Sequence, residues 1–146
     1  MKRKVLLLAL LFTFCSVLTV HAEDRKLQFS IKDAMANQKV KDVLLDIPVY
    51  WGSQKHPAVV KKFGTFKTTK RANAFLKSKE SACQWALASA IIALQERAER
   101  EGGNAVIAVK SNIKNKEFSS PDKFECLAGG MMVNVALKGT VVTIKK

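Results

Sequence analysis

Two cysteines, one histidine and a lysine-rich stretch are the parts of this chain best equipped for chemistry. Cys83 and Cys126 can form a structural disulfide, stay apart as two buried thiols, or act as a redox pair. A reactive pair usually sits as Cys-x-x-Cys at a helix start, where one thiol's pKa is lowered. Here Cys126 follows Cys83 by 43 residues, a spacing that favours a staple over a redox centre. Closing a loop of about 44 residues is worth roughly 4 kcal/mol in the chain-entropy account. His56 has Ser53, Gln54, Lys55 and Pro57 around it, and these make no metal-ligand set. No Gly-x-Ser-x-Gly elbow accompanies it, so it is expected as an exposed loop histidine. The carboxylates are scattered, with Glu96 and Arg100 spaced as an ordinary i,i+4 surface pair. No Gly-x-x-x-x-Gly-Lys-[Ser/Thr] loop is present to cradle a nucleotide's phosphates. No catalytic residue, cofactor or metal ligand is therefore expected.

The basic stretch carries more information. Between Gly52 and Lys79 lie Lys55, Lys61, Lys62, Lys67, Lys70, Arg71, Lys77 and Lys79, with no acidic residue among them. Phe63, Phe66 and Phe75 interleave with these cations. One reading is a strand edge kept soluble by lysines. The other is a docking surface for an anion, with Lys61, Lys62, Lys67, Lys70 and Arg71 as the contacts. Strand alternation would turn Lys61, Phe63 and Thr65 one way and Lys62, Gly64 and Phe66 the other.

Which anion depends on compartment. Met1 to Ala22 reads MKRKVLLLALLFTFCSVLTVHA: three cations, an apolar run and a small residue at the −1 position of a cleavage site. This is the pattern of a secretory signal peptide cleaved near Ala22-Glu23. Phe12-Thr13-Phe14 before Cys15 does not suit lipid attachment. The mature chain then has 124 of the 146 residues, and losing Lys2, Arg3 and Lys4 takes the net charge from +13 to +10. Cys15 and His21 leave with the leader, so an even cysteine pair and a sole histidine remain. An oxidising compartment favours the disulfide. Export argues against functions that need ATP, NAD or a genome. It points to lipid head groups, lipopolysaccharide phosphates or an acidic envelope protein as partner, and away from nucleic acid. No transmembrane segment is expected after cleavage.

These residues need elements to hold them. Leu27–Ile31 alternates as an edge strand, and residues 32–41 suit a short helix or turn. Val43–Trp51 is β in composition, interrupted at Pro48. Val59–Thr69 is a second strand with a bulge at Gly64. Residues 79–101 are a long helix, with Ser78 as a cap and Gly102-Gly103 as a left-handed stop. Cys83, Leu87, Ile91 and Leu94 share its apolar stripe, widened by Trp85, Ala86, Ile92 and Ala93. Gln95 to Glu101 reads as a solvated last turn. Ala105–Val109 is a central strand, Ser119–Asp122 a turn, and Lys123–Ala128 a return strand. Met131–Leu137 follows, its methionines filling core, and Lys138-Gly139 turns into Thr140–Ile144. The fold class is α+β: one domain over residues 23–146, an antiparallel or mixed sheet packed by one long helix, with a β-meander at the C-terminus.

The run ALQERAEREGGNAVIAV resembles the helix, Gly-[Gly/Ala]-Asn-Ala-Val, strand signature of the RcsF/YbjQ-like fold. Ala98 and Gly102 to Val106 carry it, and Cys126 to Gly129 before an apolar strand extends it over roughly residues 80–137. Thr68–Phe75 (TTKRANAF), Cys83–Ala86 and Ser111–Asn115 are similar to segments of small secreted proteins of Gram-negative bacteria. Some of those carry the label of an excinuclease ATPase subunit, which the missing phosphate loop and the leader contradict here. The resemblance implies the fold and a periplasmic location. The stress-sensor lipoprotein of that group has a lipid anchor, a long linker and two disulfides. None of these is matched here, so its sensing role does not carry over. The expected function is non-enzymatic binding of an anionic envelope component or partner protein in the periplasm. The alternatives are a small envelope enzyme or thiol-redox protein, and a structural protein without a ligand.

Overall fold

The computed structural model describes residues 24–146; the signal peptide expected over residues 1–22 lies outside them. The chain runs β1 (Arg25–Ser30), α1 (Ile31–Ala36), α2 (Gln38–Lys41), β2 (Val49–Trp51), β3 (Val59–Asn73), α3 (Lys79–Glu101), β4 (Ala105–Ile113), β5 (Lys116–Phe118), β6 (Lys123–Ala128) and β7 (Met132–Ile144). The fold is α+β: one mixed seven-stranded sheet, the long helix α3 across one face, and a C-terminal strand meander.

Local chemistry sets both ends of α3. The Ser78 side chain accepts a hydrogen bond from Ser81 N–H at 3.1 Å, satisfying one of the free amides of the first turn. Gly102 sits at φ 80° in the left-handed region and closes the helix, where a residue without Cβ pays no steric cost. Gly103 is needed for a different reason: a Cβ there would come within 2.7 Å of Val141 Cγ1 and 2.9 Å of Val142 O. Asn104 then copies a strand edge. Its Nδ2 donates to Ile144 O at 3.0 Å, and its Oδ1 accepts from Ile144 N at 2.7 Å. The Gly-Gly-Asn corner thus locks the end of the helix onto the end of β7.

Strand β7 is the hub of the sheet. It pairs antiparallel with β3 along its whole length, and its other edge pairs first with β6 and then with β4. β1 adds to β6, and β2 adds parallel to β4. A two-residue turn, Lys114-Asn115, with both φ positive at 52° and 60°, joins β4 to β5; such turns match the twist of a hairpin. The main core lies between α3 and the sheet, built on Leu87, Ile91, Leu94, Val109, Phe124 and Val135. A smaller cluster of Ala105, Ile107, Val142 and Ile144 lies on the opposite face, partly covered by Tyr50 and Val59. Cys83 in the first turns of α3 is disulfide-bonded to Cys126 on β6, with both residues fully buried.

Several expectations are corrected. Lys138-Gly139 is not a turn, because β7 passes straight through it. Glycine stands there because a Cβ would meet Val106 Cγ1 at 2.8 Å and Val109 Cγ2 at 3.0 Å. Of Val43–Trp51 only the three residues after Pro48 form a strand. The end of α3 is not simply solvated: Ala98 is buried, and so is Gln95, whose amide serves the backbone of the 45–47 segment. The ion pair on that turn is Arg97–Glu101 at 2.7 Å rather than Glu96–Arg100. Trp85, Met131 and Met132 are exposed, not core. Trp85 is on the side of α3 turned away from the sheet, flanked in sequence by the buried Gln84 and Ala86, and the two methionines stand where β6 passes into β7.

Candidate functional site

β3 is fifteen residues long and, among the described residues, pairs only with β7, so its outer edge is open. The bulge expected at Gly64 is present, with a register shift between Lys62 and Gly64 and a φ of 136° at the glycine. One extra residue reverses the phase of everything after it. Phe63 and Phe66 therefore both pack toward the helix side, whereas plain alternation separates them. Thr65 turns to the other face, where its hydroxyl is 2.9 Å from that of Thr140.

The five basic residues consequently divide between two faces. Lys61 is on the helix side, its Nζ 4.7 Å from the Phe63 ring centroid, a cation–π distance. Lys70, paired with Val135, is on that side too. Lys62, Lys67 and Arg71 pair with Val142, Lys138 and Asn134 and so belong to the bare face. None of the five takes part in an ion pair among the described residues. Two of them are held by neutral amides: Lys67 Nζ donates to Asn115 Oδ1 at 3.1 Å, and Arg71 Nε donates to Asn134 Oδ1 at 3.0 Å. Such contacts orient a cation without cancelling its charge.

The register adds two lysines that lie outside the basic run. Lys67 is directly opposite Lys138 on β7, and Lys138 is directly opposite Lys110 on β4. A row of three like charges thus crosses the bare face, an arrangement unfavourable on its own. Glu117 on β5 relieves it. Its carboxylate bonds Lys138 through one oxygen and Lys110 through the other, the latter at 2.9 Å. These two bonds, Lys138's first, pull the Glu117 pKa down from 4.5 to about 2. Row and clamp combine residues from four strands, so only the tertiary register reveals them.

The other chemical candidates are placed elsewhere. His56 is exposed; its Nδ1 is 2.8 Å from Pro57 O and its ring lies against Tyr50. No group of three or more metal-ligating side chains occurs among the described residues. A groove of about 690 Å³ opens beside α3, lined by Ile31, Met35, Leu44, Ile47, Trp51 and Ile91 among others. Its rim is fixed by Gln95, whose Nε2 donates to Leu45 O and Ile47 O, both at 2.8 Å, while its Oε1 accepts from Leu45 N at 3.0 Å. Neither His56 nor a cysteine lines this groove. No described helix is long and apolar enough to cross a membrane.

No protein-family profile matches the chain, and no curated protein matches it.

Proposed function

We propose that this is a non-enzymatic protein of the bacterial envelope. It is exported to the periplasm by its leader and docks on an anionic envelope component or partner protein through the basic surface of β3. One observation carries the reading. Lys61, Lys62, Lys67, Lys70 and Arg71 stand on an open strand edge with no carboxylate partner among the described residues, and two of them are aimed by amides. A surface kept soluble by lysines needs no such aiming; an anion site gains from it. The resemblance to the RcsF/YbjQ-like fold supports the compartment. The thiol-redox alternative would draw on an exposed sulfur, and both sulfurs are buried.

Two variants test this against each other. Lys62→Glu, Lys67→Glu and Arg71→Glu together reverse the bare face; Lys61→Glu and Lys70→Glu reverse the helix side. Sedimentation with envelope fractions at low salt should show binding by wild type and its loss in the first variant. Binding should also weaken steeply as salt rises toward physiological strength, since exposed charges are screened over about 8 Å there. Retained binding by both variants would overturn the proposal.

A further inference from the structure

At one end of the molecule the loop after β3 meets the loop before β7. Ala74 N–H donates to Met131 O at 2.7 Å, and Asn73 pairs with Met132. Lys79 Nζ ties the two loops together by donating to Gly129 O at 2.5 Å and Gly130 O at 3.0 Å. The apex so fixed is apolar. Leu76 is 90 % exposed, Met131 63 % and Phe75 56 %, with Met132 and Trp85 beside them. Trp85 shares a shallow pocket with Asn73 and Lys77. Leu76 also holds φ at 56°, a conformation that bulky residues avoid.

Lys70, Arg71 and Lys77 are exposed on the strand end and loop that lead to this apex, and Lys79 lies beneath it, against the carboxylates of Glu80 and Asp24. Exposed large apolar side chains next to exposed cations are the pattern of a surface that enters the head-group region of an anionic bilayer. We infer that the loops 74–78 and 129–131 insert into the surface of an anionic phospholipid bilayer, with Phe75, Leu76 and Met131 entering the interface and Lys70, Arg71 and Lys77 contacting phosphates. For its charge the inference rests on the anion-binding reading of β3; its apolar part is separate.

The test uses vesicles of phosphatidylglycerol and phosphatidylcholine, and the chain's own tryptophans. Trp51 is buried and Trp85 is 46 % exposed beside the apex, so lipid-dependent emission changes report Trp85. Wild type should bind phosphatidylglycerol vesicles with a blue shift and quenching by brominated lipid. Phe75→Ala, Leu76→Ala and Met131→Ala together should lower partitioning by at least about tenfold with an unchanged circular dichroism spectrum. Lys77→Ala should lower it only about fivefold, in a salt-dependent way. Equal binding by wild type and the triple variant, without quenching, would overturn the insertion. In that event the β3 reading still stands if charge reversal abolishes envelope binding. A concentration-dependent dimer in wild type that the triple variant loses would assign the apex to a second copy and likewise overturn the lipid assignment.

Discussion

Glu117 is the residue that most directly sets the charge of the bare face. Its folded carboxyl, held by Lys138 and Lys110, releases its proton at about 2 instead of 4.5. The folded state therefore binds this proton less tightly than the unfolded state. The stabilisation is fully present above 4.5 and is lost as pH falls toward 2. Compared with Glu117→Gln, wild type should be the more stable protein at neutral pH, and the gap should close over that acidic window in acid-unfolding curves. A gap that widens on acidification would contradict the clamp. The same substitution frees Lys110 and Lys138, and anion binding at neutral pH and low salt should tighten by about fivefold.

Among the elements, α3 and β6 are joined by the only disulfide of the described residues. Reduction, or Cys83→Ala with Cys126→Ala, should lower stability by about 2–4 kcal/mol, read as a fall in the urea midpoint. An unchanged midpoint would show that packing alone holds the helix on the sheet. The helix was readable from sequence to the residue because Ser78 and Gly102 act locally. The strands were less so. Lys138-Gly139 has the composition of a turn, yet the glycine answers to Val106 and Val109, distant in the chain and brought beside it by the sheet. The bulge at Gly64 was legible, but not its effect on which face Phe66 and Thr65 occupy. The candidate site shows the same division. A run of cations is visible in composition, whereas the Lys67–Lys138–Lys110 row depends on a register that no local signal specifies. The groove beside α3 was likewise hidden, because Gln95 reads as a surface glutamine until its backbone partners fifty residues away are known.

At the scale of the whole molecule, charge and apolar exposure are arranged along one direction. The open edge of β3 runs its length, and the apolar apex lies where that strand ends. A protein seated apex-first would stand with β3 rising from the surface, leaving the groove beside α3 clear of it. The arrangement of β7 bears on how such a molecule is made. It is the strand shared by β3, β4 and β6, and it is also the last strand in chain order. Synthesis delivers the partners first and the piece that joins them last. Until residues 132–144 exist, the earlier strands have no common neighbour and α3 lacks much of the surface it covers. A fragment ending at residue 131 should therefore be digested by protease at the rate of an unfolded chain, whereas the chain through residue 146 resists; equal resistance would refute this. For nearly all of its synthesis the growing polypeptide thus lacks the strand its sheet is organised around, and it folds only as residues 132–144 arrive.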